Sequence, residues 1–219
     1  MICIENGYVS LTRDGRNKLE ISISIRDGDC VLLVGPNGSG KTTILDIISG
    51  ARKLDVGKFT LDNASYPIAY AVQEANSGVL PWITILGNIL LPAKISGSVS
   101  QQLMHKVKAL LERFGLFTRR NEYPYNLSGG EKQIVNLIRT ICTPSTLFLF
   151  DESFSRLHQN AKELAKKAVV DSVSENTAIF VTHDIADMNL PYNRFFLINN
   201  HKVHEVSLTE AERELSNVL

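Results

Sequence analysis

The chain has 219 residues, 44% hydrophobic and 21% charged, ordinary proportions for a folded protein with room for one large domain and a sizeable core. Lys plus Arg and Asp plus Glu both number 23, so the formal net charge is zero, which argues against bulk nucleic-acid binding. The longest apolar stretches, such as residues 79–85 and 147–150, are far too short to span a bilayer, so any membrane association must run through a partner.

The start, Met1-Ile2-Cys3-Ile4-Glu5, has no charged region followed by a long apolar run, and no signal peptide is expected. Cys3, Cys30 and Cys142 are odd in number and lack metal-type spacing, which fits reduced thiols in a cytosolic protein. Residues 21–25 alternate apolar and polar, as a half-buried strand does, and 30–34 form a continuous apolar run that reads as a buried strand. A glycine-rich loop follows, then a helix over 42–48 that stops near Gly50. Strand, glycine loop and helix in that order open an α/β nucleotide-binding unit.

Short strands are expected at 59–61 and 68–72, on either side of Asp62-Asn63. From about Gly78 to Pro144 the chain reads as a helical insertion, with Leu103, Val107, Leu110, Leu111 and Phe114 at helical spacing and Gly115 as the cap. Apolar strands return at 147–150 and 178–181, separated by a helix over 161–173 with Leu164, Ala168 and Val169 on one face. Residues 194–198 and 202–206 flank Asn199-Asn200, a hairpin turn.

The chemistry begins at Gly35-Pro36-Asn37-Gly38-Ser39-Gly40-Lys41-Thr42, which fits the pattern G-x-x-x-x-G-K-[ST]. Glycines let successive N–H groups turn inward around phosphate oxygens, and the following helix adds its positive end. Lys41 brings a point charge for the β- and γ-phosphates, and the Thr42 hydroxyl is suited to Mg²⁺. The apolar strand before Asp151-Glu152 ends in two carboxylates. At the carboxyl end of a parallel strand, Asp151 suits the metal shell and Glu152 suits the attacking water. In Leu127-Ser128-Gly129-Gly130-Glu131, Ser128 caps a helix and Glu131 completes a capping box. The two glycines cost helix stability and leave N–H groups open to an anion.

Phosphate loop, Gln73, Leu-Ser-Gly-Gly-Glu, Asp151-Glu152 and His183 stand in the order and rough spacing of ABC-transporter ATPase subunits, and from about residue 21 to 206 the chain resembles that family. The resemblance implies an α/β fold with a RecA-like phosphate-loop sheet flanked by helices, a small antiparallel β subdomain and an inserted helical subdomain. It divides one ABC ATPase domain into a core, 1–77 and 145–219, and a helical part, 78–144, carrying the signature segment. Two subunits, identical or different, would pack head to tail around ATP and Mg²⁺. The nucleotide would meet Gly35, Pro36, Asn37, Gly38, Ser39, Gly40, Lys41, Thr42 and Thr43 of one copy, and Ser128, Gly129 and Gly130 of the other. Thr42, Gln73 and Asp151 would serve the metal; Lys41, Glu152 and His183 would serve hydrolysis, and Gln73 would also relay to a membrane permease. A solute-binding protein is a further expected partner. The subunit would lie on the cytoplasmic face of the membrane through the permease.

The chain departs from the family pattern in places. Ser153 stands where a Pro is usual, and His158 ends a segment that usually ends in Asp. No aromatic ring occupies the position near Thr12 or Arg13 where the family stacks adenine; Tyr8 falls too early and reads as packing. Leu80-Pro81-Trp82-Ile83-Thr84-Ile85 resembles a segment of importer ATPases for nitrate, sulfonates, taurine and thiamine precursors. Trp82 there is either an interface anchor or internal packing. The alternative function is a single-cassette ABC ATPase that moves no solute, of the iron–sulfur assembly type or acting as a regulatory switch.

Overall fold

A computed structural model describes residues 1–12, 14–61, 68–74 and 78–217. In chain order the strands are β1 (Ile2–Ser10), β2 (Lys18–Ile25), β3 (Cys30–Val34), β4 (Val56–Leu61), β5 (Ile68–Ala71), β6 (Leu147–Asp151), β7 (Thr177–Val181), β8 (Arg194–Asn199) and β9 (Lys202–Val206). The helices are α1 (Lys41–Ser49), α2 (Ile85–Ile95), α3 (Gln101–Arg113), α4 (Gly129–Cys142), α5 (Gln159–Val173) and α6 (Leu208–Asn217). The fold is α/β, as the sequence implies. Its contacts form two compact units, Met1–Tyr66 with Glu175–Leu219, and Pro67–Ser174.

In the first unit the strands lie in the order β4-β1-β2-β9-β8-β3-β7. β1 pairs antiparallel with β2 and β4, while β3 runs parallel to β7 and β8. The residue pattern explains the layering. β2 buries Leu19, Ile21, Ile23 and Ile25 and exposes Lys18, Ser22 and Ser24, the period of a one-sided strand. β7 is buried at every residue, and β3 at all but Cys30, as parallel strands covered on both faces are. α1 packs Ile44, Leu45, Ile47 and Ile48 inward and ends where Gly50, at φ 80°, returns its N–H to the Ile47 carbonyl.

The β8–β9 hairpin pairs Asn199 with Lys202, so the turn is Asn200-His201 rather than Asn199-Asn200. Both turn residues have positive φ, 47° and 60°, the requirement of a tight two-residue hairpin. The long β1 and the closing α6, which buries Ala211 and Leu215, carry no motif and are not anticipated from sequence.

In the second unit β5 and β6 pair in parallel, Ile68 opposite Leu147 through Ala71 opposite Phe150. α4 is its central helix, with Ile134, Val135, Leu137, Ile138 and Ile141 all buried. α3 buries Val107, Leu110 and Leu111, as the spacing predicts. α5 starts two residues earlier than expected and turns Ala165, Ala168, Val169 and Val173 inward; Leu164 is 41% exposed and does not belong to the packed face. Buried Asn88 accepts from the Leu80 N–H and donates to the carbonyls of Leu80, Ile83 and Thr84, fixing the segment that carries Trp82. Trp82 itself is 70% exposed, which excludes the internal-packing reading. Tyr8 is likewise 37% exposed rather than packed, and Asp62, Asn63 and Arg13 lie outside the described residues.

Candidate functional site

The first unit carries the phosphate loop between β3 and α1. Gly35, Gly38 and Gly40 all have positive φ. At Gly40, φ 106° favours glycine, and a Cβ would also crowd the methyl groups of Leu19 at 2.8 Å and Leu11 at 2.9 Å. The loop delivers the chain directly into α1, whose first residue is Lys41. Lys41 is 6% exposed, and its ammonium donates to the carbonyls of Gly35 at 2.7 Å and Pro36 at 2.9 Å. A charge held that far from water is a strong attractor for anionic oxygen. Ser39 Oγ is buried with no hydrogen-bond partner among the described residues, a donor and acceptor ready for a ligand. Asn37 is exposed on the loop's outer side, Thr42 is exposed and Thr43 half-buried at the start of α1.

His183 lies in the same unit, just beyond β7, half-buried. The turn around it is tightly specified. The buried Thr182 hydroxyl donates to Asp187 at 2.7 Å and accepts from the Asp184 N–H at 3.0 Å, while the Asp184 carboxylate accepts from the Ala186 N–H at 2.8 Å. Sequence reading misses Asp187. The available signal is a second acid four residues after His183, at the spacing of one short helical turn.

The second unit brings Gln73 and Glu152 together. The Gln73 amide nitrogen donates to the Glu152 carboxylate at 3.0 Å. Asp151, the last residue of β6, is 1% exposed, and Glu152 follows at φ 45°, a left-handed conformation uncommon for a non-glycine residue. Ser155 holds that turn, donating its N–H and its hydroxyl to the Glu152 carbonyl at 3.1 and 2.8 Å. Ser153, in the place of the usual Pro, is buried; its hydroxyl donates to the Ala71 carbonyl at 3.3 Å and its carbonyl accepts from the Gln133 amide at 2.8 Å. Those bonds fix the turn that a proline ring would otherwise stiffen. His158 is exposed at the start of α5 and makes no side-chain capping bond.

The signature segment folds as its residues dictate. Ser128 Oγ accepts from the Glu131 N–H at 3.2 Å and Glu131 accepts from the Ser128 N–H at 2.7 Å, a complete capping box at the start of α4. Ser128 and Gly129 are exposed, and a Cβ at Gly129 would meet nothing within 4 Å. Arg119 braces the box: its guanidinium reaches Glu131 at 2.5 Å and the Asn126 carbonyl at 3.1 Å. Burial pushes the Glu131 carboxyl up, but the Ser128 hydrogen bonds and the Arg119 charge outweigh it and hold the carboxyl below its ordinary 4.5. Arg119 is invisible to motif reading because it lies nine residues before Ser128, in a loop.

A group with a depressed folded pKa stabilises most above its unfolded value, and the contribution disappears as pH falls through the folded one. Glu131→Gln will therefore lower the thermal midpoint at pH 7, at a cost of about 0.5–1 kcal/mol once solvent screening is allowed for. The gap between variant and parent will close below the ordinary carboxylate range. Midpoints measured from pH 7 to pH 3 check this; a gap constant with pH would show that the carboxylate does not hold the cap.

Cys30 and Cys142 are held protonated. Burial pushes Cys30 up to about 12 and Cys142 up to about 11, so neither is a thiolate near neutrality.

Comparison with known proteins agrees with this fold. The sequence profile of the ABC transporter family matches residues 19–155. The chain is 30% identical over 212 residues to the ABC transporter ATP-binding protein YtlC of Bacillus subtilis, covering 93% of this chain and 81% of that one. It is 31% identical to the formylaminopyrimidine import ATP-binding protein ThiZ of Halalkalibacterium halodurans, with 89% and 78% covered. It is also 31% identical to the taurine import ATP-binding protein TauB of Yersinia pestis, with 89% and 79% covered. Among solved structures, an ATP-binding subunit of an ABC transporter superposes with a TM-score of 0.82 at 20% identity, covering 99% of this chain and 93% of the other. A dimeric ATP-binding cassette with ADP and phosphate superposes at 0.80 and 24% identity, with 95% and 99% covered. By motif, fold and sequence profile, the chain belongs to the ATP-binding subunits of the ABC transporter family, and its reaction is the hydrolysis of ATP.

Proposed function

We propose that this subunit powers import of a small organic solute, pairing with a second ATPase subunit and docking from the cytoplasmic side onto an integral membrane permease. The observation that carries the reading is the likeness to import subunits such as ThiZ and TauB over 89% of the chain. No helix among the described residues is long and apolar enough to cross a membrane.

Each site residue then has a task. The loop from Gly35 to Thr43 wraps the phosphates, with Lys41 supplying positive charge where the γ-phosphate becomes more anionic. Thr42, Gln73 and Asp151 offer hard oxygen donors, the set that suits Mg²⁺. When bound, that ion neutralises β- and γ-phosphate charge. Glu152 orients the attacking water and accepts its proton, and His183 steadies the γ-phosphate end. Ser128, Gly129 and Gly130 close on the nucleotide of the partner copy with the open N–H groups of α4. Gln73 couples the two events. Its amide nitrogen holds the Glu152 carboxylate at 3.0 Å, and its amide oxygen would be the atom offered to the ion, so one side chain would tie the base to the metal shell.

The helical part of the second unit also offers a docking place. A hollow of about 260 Å³ is floored by Leu86, Val107, Leu111 and Phe117, with Arg120 at 4.4 Å and Lys108 at 5.5 Å from the Phe117 ring centre. Apolar floor and cationic rim fit a partner segment bearing apolar and acidic side chains.

Co-expression with a permease subunit from the same genome, followed by purification on the permease, tests the reading. The ATPase subunit should co-purify, and the complex in liposomes should hydrolyse ATP faster when its solute is present. An active ATPase recovered only with soluble partners would favour the iron–sulfur assembly alternative.

A further inference from the structure

Tyr123 and Tyr125 are among the most unusual side chains on the surface. They are 42% and 69% exposed, and their rings stack on one another, centroids 5.9 Å apart and planes 11° from parallel. An exposed ring backed by a second ring offers a flat π-face of the kind on which nucleobases stack. The backbone beneath them is rigid. A short 3-10 turn, Pro124–Asn126, buries Pro124, and Leu127 is buried after it. Arg119 holds the Asn126 carbonyl, and the capping box locks Ser128. Buried Pro124 and Leu127 thus anchor the strip, while Tyr123, Tyr125, Asn126, Ser128 and Gly129 all face solvent. The Asn126 side-chain amide makes no hydrogen bond among the described residues, so both its donor and its acceptor are available.

This strip has the parts of a nucleotide-binding edge: an aromatic platform, a free amide, then a hydroxyl and open N–H groups suited to phosphate. Two residues, Asn126 and Leu127, separate Tyr125 from Ser128, so the two backbone positions are at most about 10 Å of chain apart. The sequence pattern expects a ring near Thr12 or Arg13, and neither residue is aromatic; Arg13 lies outside the described residues.

We propose that Tyr125, backed by Tyr123, is the platform for the purine base, supplied by one copy to the ATP held by the phosphate loop of the other, with Asn126 positioned for the base or ribose edge. The proposal rests on the head-to-tail dimer described above. It makes base recognition a property of the dimer rather than of the single subunit.

The test uses the full chain carrying Glu152→Gln, so that ATP-bound dimers persist, and reads dimer formation by light scattering across titrations with ATP and with CTP. Tyr125 is exposed, so Tyr125→Ala should melt with its parent. It should nonetheless need at least about tenfold more ATP for half-maximal dimer, equivalent to ~1.4 kcal/mol and within the range for one stacked base. Its preference for ATP over CTP should collapse, and Tyr125→Trp should restore both. If the parent dimerises and Tyr125→Ala dimerises at the same ATP concentration with the same base preference, the platform assignment is wrong while the dimer stands. If the parent binds ATP and never dimerises, the dimer reading and the platform fall together.

Discussion

Lys41→Ala will lose ATP hydrolysis by about a hundredfold or more and will weaken ATP binding about ten- to a hundredfold. The ammonium is the one cation of the phosphate loop, and it is shielded from water, where a charge-assisted bond is worth ~1.5–3 kcal/mol. Its pull grows as the γ-phosphate gains charge in the transition state, so the rate falls further than the affinity. The same ammonium stitches the loop by bonding the Gly35 and Pro36 carbonyls, so Lys41→Ala also loosens the loop. Lys41→Arg separates the two roles: it keeps the charge but presents a broad planar fork instead of a compact point. Steady-state hydrolysis and equilibrium binding on both variants check the expectation; near-parental turnover in Lys41→Ala would falsify the phosphate-loop assignment.

Glu152→Gln will bind ATP nearly as the parent does and hydrolyse it about 10²- to 10³-fold more slowly, accumulating an ATP-bound dimer on size exclusion. An amide has almost the shape of the carboxylate and still accepts the hydrogen bond that Gln73 donates, so the turn at Glu152 survives. What disappears is the ability to take a proton from water, worth about two to four powers of ten. Because Glu152 sits in a left-handed turn that Ser155 closes, the substitution changes chemistry without changing backbone demands. A variant that stays monomeric with ATP and turns over normally would remove both the base role and the sandwich.

How much of this was legible in the sequence depends on whether the determinant is local. The phosphate loop, the capping box at Ser128 and the buried strand before Asp151 depend on residues within a turn of one another, and the structure forms all three where the residue types demand. α5 shows the limit. Helical spacing places Leu164 with Ala168, but which stripe is buried depends on what packs against the helix, and Leu164 is left in solvent. The turn between β8 and β9 slips by one residue because the pairing of Asn199 with Lys202, not the Asn-Asn dipeptide, decides which two residues take positive φ. Arg119 and Asp187 escape for a related reason. Each acts on a motif residue through a side-chain bond that no pattern encodes. Ser153 is the reverse case: it reads as a departure, yet its hydrogen bonds to Ala71 and from Gln133 fix the same turn by different means.

The left-handed backbone at Glu152 has a consequence for how this protein can drift. A non-glycine residue in that region costs on the order of 1 kcal/mol or more against glycine, and the cost is met by the rest of the fold whenever the chain folds. Selection for stability alone would therefore push position 152 toward glycine or asparagine, which accept the turn more readily and cannot take a proton. With the base role proposed above for Glu152, demand for turnover is what opposes that drift. A copy of this gene released from that demand would be expected to lose its base early, becoming a sturdier cassette that grips ATP and no longer spends it.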